Sequence, residues 1–126
     1  MLKFITSRFR AFGFAFKGLA DLFLNHEPIW VHLAAIFVAL GTAWYLEFPA
    51  WKWVMFVICI GFTITTEALN TAIEYVVDLV SPNYHELAGK AKDVAAAAVL
   101  VSAVTAFVVY FILVWEYIME PKLYLQ

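Results

Sequence analysis

Apolar residues fill three long stretches of this chain, and short polar segments separate them. Residues 29–46 carry no formal charge apart from the titratable His32, residues 53–80 are apolar except for a line of acidic side chains, and residues 94–115 are uncharged. A membrane crossing needs about 20 predominantly apolar residues. The pattern therefore predicts three membrane-spanning helices, at about 29–46, 53–80 and 94–115.

The N-terminal segment shows a different pattern, with apolar and basic side chains on opposite faces of one helix over about residues 4–24. Its apolar residues recur at alternating steps of four and three, as a helix requires: Ile5, Phe9, Phe12, Phe16, Leu19 and Phe23. Lys3, Arg10 and Lys17 line the other face. This pattern is typical of a surface helix in the membrane interface, and the same apolar face would also serve a helix packed on partner helices.

Prolines and polar residues mark the boundaries of these segments. Pro28 ends the first helix, because the residue before a proline disfavours helical geometry, and it suits the first turn of the next helix. A short turn around Pro49 joins the first two spans. The second span stops at residues 81–83. The following loop is expected to run through Lys92, with Asp93 at the start of the third span as a candidate N-cap.

The third span carries many small residues. Ala91 and Ala95, and further along Ser102 and Ala106, are spaced by four and fall on adjacent turns of one helix face. Small residues at this spacing let helices approach closely, although alanine is also a good helix former anywhere. One face of the third span is therefore expected to pack on the second span.

The composition agrees with an all-α membrane protein that forms a single domain over residues 1–126. The chain is 65% hydrophobic and 14% charged, with a mean hydropathy of +0.85, whereas a soluble domain is about 45–50% apolar. Cys59 has no partner in the chain, which excludes an intrachain disulfide and a cysteine metal cluster. A net charge of −2 gives no basic footprint for nucleic acid.

Basic residues set the expected orientation in the membrane. Six of the eight Lys and Arg residues precede the first span or lie between the second and third spans. The positive-inside rule places both regions on the cytoplasmic side. We therefore expect a cytoplasmic N-terminus and second loop, with the turn around Pro49 on the outer side.

The second span carries an acidic stripe, which we define as Glu67, Glu74 and Asp78 together with Thr63 and Asn70. At about 100° per residue, these five positions fall within roughly 80° of arc. A carboxylate at the centre of a bilayer costs about 2.5–3.5 kcal/mol, so such residues usually face a bundle interior and mark a functional site. Three acids on one face indicate a site for a cation or a phosphate at the membrane surface.

Phosphoryl transfer to a lipid alcohol is the chemistry that these residue types suit. Carboxylates together with substrate phosphates hold Mg²⁺, and Lys90 and Lys92 supply point charges for phosphate oxygens. Glu67, about 10 Å deeper than Glu74 along the helix, is placed to accept a proton from a hydroxyl in the bilayer. The chain has no P-loop pattern, so its nucleotide site must be of another kind.

The alternative is a small oligomeric transporter or channel, in which intramembrane carboxylates line a proton or cation path. Such a path needs polar residues through the whole bilayer. The outer half of the second span, residues 53–62, offers none, which argues against this alternative.

The motif from Glu67 to Asp78, together with the blocks at residues 84–87 and 91–96, resembles the small bacterial diacylglycerol kinase and undecaprenol kinase family. The resemblance covers nearly the whole chain. It implies a homotrimer in the bacterial cytoplasmic (inner) membrane, with a surface helix, three spans and composite active sites between subunits.

The same resemblance implies roles for individual residues. The family's catalytic base falls on Glu67, with Asn70 beside it, and a magnesium ligand falls on Glu74. Positions that contact the nucleotide in the family fall on Lys17, Glu74, Asp78, His85, Lys92 and Asp93. A second metal-binding glutamate follows the surface helix in the family; His26 takes that position in an ungapped alignment, and Glu27 is one step later and becomes the expected ligand after a local shift.

The sequence thus predicts an ATP- and Mg²⁺-dependent lipid kinase. It would transfer the γ-phosphate of ATP to the hydroxyl of diacylglycerol, giving phosphatidic acid, or to that of undecaprenol. Both acceptors stay open here, because two long-chain alcohols present similar apolar surfaces to a protein groove.

Overall fold

The computed structural model describes residues 2–26 and 28–119, with side chains from Arg8 onward except that of Pro28. The described chain is all-helical. It forms four α-helices: α1 (Leu2–Asn25), α2 (Pro28–Tyr45), α3 (Ala50–Val80) and α4 (Glu86–Met119).

Two of these helices, α3 and α4, are each long and apolar enough to cross a membrane, as predicted for the second and third spans. The first two helices meet this criterion only as a bent pair, in which residues 8–25 and 29–45 form an angle of 94°. Pro28 lies at this bend, in agreement with the expected break before a proline. A third crossing through α2 therefore stays a prediction.

The main packed unit is the pair of α3 and α4, while α1 and α2 contact α3 over shorter surfaces. Small side chains make the close approach possible, since Ala95 and Ser102 are buried. Ser102 also contacts Thr66 of α3, with 2.7 Å between the two hydroxyl oxygens. The predicted packing of the small-residue face of the third span on the acidic helix is confirmed.

The start of α4 differs from the prediction. The helix begins at Glu86, so the expected loop through Lys92 is wrong in its second half. Lys92 and Asp93 lie about two turns inside the helix, and Asp93 is not its N-cap. Glu86 favours the early start because an acidic side chain in the first turn complements the helix dipole, and it also pairs with Lys90 at 2.6 Å, four residues on.

His85 supplies the cap that the sequence did not reveal. Its carbonyl accepts a hydrogen bond from the amide of Gly89 at 3.1 Å, and its Nδ1 accepts one from the amide of Leu87 at 3.2 Å. A side-chain acceptor at this position satisfies an amide that the helix cannot bond internally. Histidine is not among the residues preferred there, which explains why the sequence does not predict this helix start.

The end of the α3–α4 pair near the α2–α3 turn is closed around a buried lysine. Lys52 is 1% exposed, and its ammonium donates to the carbonyl of Leu113 at 2.8 Å and pairs with Glu116. The rings of Phe48 and Tyr117 lie 5.1 Å and 4.2 Å from the same nitrogen. The cation is thus held by a counter-charge, a carbonyl and aromatic faces, which compensate for its desolvation.

This arrangement predicts unequal effects of removing the two partners. Glu116→Gln leaves a buried ammonium without its counter-charge and should lower the free energy of unfolding by about 1–3 kcal/mol. Lys52→Met removes the buried charge, keeps an apolar stem and leaves a half-exposed Glu116 to water, so its cost should stay under about 1 kcal/mol. Equilibrium unfolding in mixed micelles measures both, and the reverse order would contradict this account.

Candidate active site

The N-terminal part of the acidic stripe faces the interior of the helix bundle. Thr63 and Glu67 are buried, Asn70 and Glu74 are half-buried, and Asp78 is exposed. Burial therefore decreases along the stripe toward the C-terminal end of α3. A stripe of polar side chains that is buried at one end and exposed at the other suits a site that binds a membrane-embedded group at the first end and a water-soluble group at the second.

Glu67 faces α2 at the deep end of the stripe. Its Oε2 lies 3.7 Å from Nε2 of His32, so the histidine contacts an acid of the stripe from a neighbouring helix. Thr63, one turn along α3, is buried, and its hydroxyl has no hydrogen-bond partner. The sequence identified His32 as the titratable residue of the first span but did not indicate which residue it contacts.

Asn70 and Glu74 form the middle of the stripe. The Asn70 amide nitrogen donates to Oε1 of Glu74 at 2.9 Å, and Oδ1 of Asn70 is buried without a hydrogen-bond partner. An unpartnered amide oxygen beside a carboxylate is an oxygen donor set of the kind that Mg²⁺ prefers, so these residues fit the implied metal. Glu27, the expected second ligand, lies outside the described residues. Within the described ranges, no cluster of three or more acidic, histidine or cysteine side chains could hold a metal.

Asp78 and Lys92 connect α3 to α4 at the exposed end of the stripe. Their carboxylate oxygen and ammonium nitrogen lie 2.6 Å apart, and both side chains are more than one-third exposed. Such an exposed pair contributes at most about 1 kcal/mol to stability. Its value for a site is that it holds an ammonium beside the stripe, within reach of a water-soluble anion.

Three other predicted site residues make no described contact with the stripe. His85 caps α4, and Asp93 is exposed on the same helix. Lys17 is exposed on α1 and forms no ion pair with the described side chains. The structure thus brings together Asn70 with Glu74 and Asp78 with Lys92, and leaves these three apart.

A hydrogen-bond network that the sequence did not reveal joins α1 to α3. The Tyr75 hydroxyl donates to Oδ2 of Asp21 at 2.6 Å and contacts Nε2 of His26 at 2.7 Å. Asn25 donates to the other oxygen of Asp21. The bond from Tyr75, with the one from Asn25, lowers the pKa of the Asp21 carboxyl. His26 therefore contacts Tyr75, the residue after Glu74.

A cavity of about 340 Å³ lies between α1 and α3 beside this network. Most of its walls are small or apolar, and Asp21, Thr71 and Tyr75 are its polar members. Its lining consists of Ala15, Gly18, Leu19, Asp21, Leu22, Ala68, Thr71, Ala72 and Tyr75. The i, i+4 spacing of Asp21 and Asn25 is the one signal in the sequence that predicts part of the network.

Comparisons with known proteins identify the family. The family model described as prokaryotic diacylglycerol kinase matches residues 13–114. The diacylglycerol kinase of Escherichia coli (strain K12) is 34% identical over 112 residues, which cover 89% of this chain and 92% of that protein. The undecaprenol kinase of Bacillus subtilis (strain 168) is 35% identical over 101 residues, which cover 80% of this chain and 82% of that protein. The chain therefore belongs to the prokaryotic diacylglycerol kinase family.

Proposed function

We propose that this chain is an ATP- and Mg²⁺-dependent lipid kinase that transfers the γ-phosphate of ATP to the hydroxyl of diacylglycerol or undecaprenol. The observation that carries this proposal is the gradient of burial along the stripe, from the enclosed Glu67 to the exposed pair of Asp78 and Lys92. The buried Glu67 suits a hydroxyl held in the bilayer, and the exposed pair of Asp78 and Lys92 suits a nucleotide in the cytosol. Membership of a kinase family supports this assignment.

Glu67 acts as the general base in this proposal. Its carboxylate takes the proton of the lipid hydroxyl as that oxygen attacks the γ-phosphorus. Because phosphoryl transfer has a loose transition state, positioning and charge neutralisation account for most of the catalysis. The burial of Glu67 suits this role because it keeps out water, which would otherwise compete with the lipid hydroxyl as acceptor of the phosphoryl group.

Asn70 and Glu74 would hold the metal in this proposal. The amide nitrogen of Asn70 fixes the carboxylate of Glu74 and leaves Oδ1 of Asn70 as a second oxygen donor. A Mg²⁺ ion bound there would supply positive charge to the phosphate oxygens of the nucleotide. Glu27 is the proposed further ligand.

Lys92 and Asp78 form the nucleotide end of the site. Asp78 holds the ammonium of Lys92 in place, and the exposed part of Lys92 meets phosphate oxygens as a point charge. Asp93 and His85 extend this surface along α4, and Lys17 extends it on the surface helix. These three do not contact the stripe within one chain, so we propose that neighbouring subunits of a homotrimer complete the site.

The proposed topology follows from the helices and their charges. α2 is the additional crossing, and α1, at 94° to it, lies in the membrane interface with the N-terminus on the cytoplasmic side of the inner membrane. The basic start of α4 then lies on the same side. Lipid and nucleotide would therefore meet at the inner leaflet.

Two named relatives of nearly equal identity, one a diacylglycerol kinase and one an undecaprenol kinase, leave both acceptors as candidates. Neither these relatives nor the family model supports the transporter alternative. A transporter would also need a polar path through residues 53–62, which are apolar.

The decisive experiment is a lipid phosphorylation assay. Purified protein in mixed micelles receives ATP labelled at the γ-phosphate, Mg²⁺, and either diacylglycerol or undecaprenol. We expect labelled lipid with at least one acceptor and none after chelation of Mg²⁺. An absence of labelled lipid with both acceptors would refute the proposed function, and dissipation of an imposed ion gradient by the protein in liposomes would instead support the transporter.

A further inference from the structure

His32 lies against the proposed base, and the proposed function gives it no role. Its Nε2 is 3.7 Å from Oε2 of Glu67, and the side chains of His32 and Glu67 are 20% and 4% exposed. The carboxylate that must take up a proton in each turnover is therefore enclosed. The imidazole beside it, in the second turn of α2, reaches the surface of the chain.

The polar neighbours of Glu67 on its own helix do not orient it. The hydroxyl of Thr63, one turn away, has no hydrogen-bond partner, and the amide nitrogen of Asn70 donates to Glu74. The described polar contact of the Glu67 carboxylate is thus with His32 on α2, at 3.7 Å, which is longer than a hydrogen bond. Catalytic hydrogen bonds are commonly long before substrate binds, so a 3.7 Å separation suits a pair that tightens in the reacting complex.

We propose that His32 and Glu67 form a dyad in which His32 orients the carboxylate and receives the proton that it removes from the lipid hydroxyl; this inference rests on the proposed function. Histidine suits the task because imidazole gains and loses a proton near neutral pH and has two nitrogens. Enzymes that activate a nucleophile commonly orient the general base with a further side chain, which is the place that His32 takes beside Glu67.

In the transfer step, each bond that forms is matched by one that breaks. The Glu67 oxygen bonds to the proton while the O–H bond of the lipid breaks, and that electron pair forms the new bond to the γ-phosphorus. The bond from the γ-phosphorus to the bridging oxygen breaks, and ADP leaves with its electron pair. The proton then moves from Glu67 to Nε2 of His32, and the imidazolium releases a proton from Nδ1 to water. Carboxylate and neutral imidazole result, the imidazole as its Nε2–H tautomer, and exchange of its ring protons with water returns the Nδ1–H tautomer before the next turnover.

The kinetic test uses His32→Gln and His32→Ala in the full-length protein in mixed micelles. We expect kcat to fall about 10- to 100-fold in both variants, at most the lower end of the 10²- to 10⁴-fold range for general acid–base catalysis because Glu67 is retained, while KM for ATP stays within about twofold. Added imidazole should restore part of the kcat of His32→Ala. A purely structural contact would not produce rescue, so wild-type kcat in both variants or an absence of rescue would overturn the dyad.

Two further measurements separate this proposal from the proposed function. If the residues act together, adding His32→Gln to Glu67→Gln should lower kcat no further. The ring ¹⁵N signals of His32 should shift at constant pH in Glu67→Gln and not in the exposed matched control Glu47→Gln. Signals that do not respond to Glu67→Gln would overturn the dyad even if the kinase is active. Lack of lipid phosphorylation by the wild-type protein would refute the proposed function, while the ring signals would still report the pair.

Discussion

Glu67→Gln should reduce lipid phosphorylation by about 10²- to 10⁴-fold, the contribution expected of a positioned general base. Glutamine keeps the size of the buried side chain and can still contact His32, but its amide cannot accept the proton of the hydroxyl. The loss should therefore appear in kcat, with little change in KM for ATP. Initial rates with γ-labelled ATP over a range of ATP and lipid concentrations separate the two constants.

A matched control is available in the turn between α2 and α3. Glu47 is an exposed residue in the turn before α3, with a φ of 51°, so Glu47→Gln makes the same chemical change far from the stripe. Its rate should stay within about twofold of the wild-type rate, because a substitution at an exposed residue away from the site usually changes stability by no more than about 0.5 kcal/mol. Near-wild-type kcat in Glu67→Gln, with the protein folded in micelles, would remove Glu67 from the role of base.

Helical geometry explains which parts of the fold could be predicted. The angular positions of Thr63, Glu67 and Asn70 follow from 3.6 residues per turn, and the second and third spans follow from hydropathy, so both predictions agree with the structure. The start of α4 could not be predicted, because a histidine side chain caps it. Hydropathy identifies an apolar stretch, but the end of its helix depends on local hydrogen bonds of this kind.

Contacts between helices explain what the sequence could not predict about the site. His32 and Tyr75 contact acids on other helices, and Lys52 is buried beside Glu116. A single sequence shows which face of a helix is polar, but it does not give the rotation of a neighbouring helix about its axis. The stripe was therefore predictable, whereas its partner His32 on α2 and the contact of Tyr75 with Asp21 on α1 were not.

Glu74→Gln should chiefly raise the Mg²⁺ concentration that lipid phosphorylation requires. Carboxylates supply the charge that holds Mg²⁺ in sites of this kind, usually with one or two per ion. Removal of one should raise the Mg²⁺ concentration for half-maximal activity by about 10- to 100-fold, the range seen even for residues that only support a ligand. Glutamine can still accept the hydrogen bond from Asn70, so the local packing should persist.

The measurement is a Mg²⁺ titration of lipid phosphorylation, supported by Mn²⁺ binding followed by electron paramagnetic resonance without turnover. Glu86→Gln is the matched control, because Glu86 is an exposed carboxylate in the first turn of α4 and its loss removes the same charge without touching the stripe. The control should keep its Mg²⁺ response within about twofold. If both variants shift equally, general surface charge rather than ligation by Glu74 governs the metal; if neither shifts, Glu74 is not a ligand. A shift confined to Glu74→Gln, in both activity and Mn²⁺ binding, ties the metal to the middle of the stripe, between the buried base and the exposed lysine.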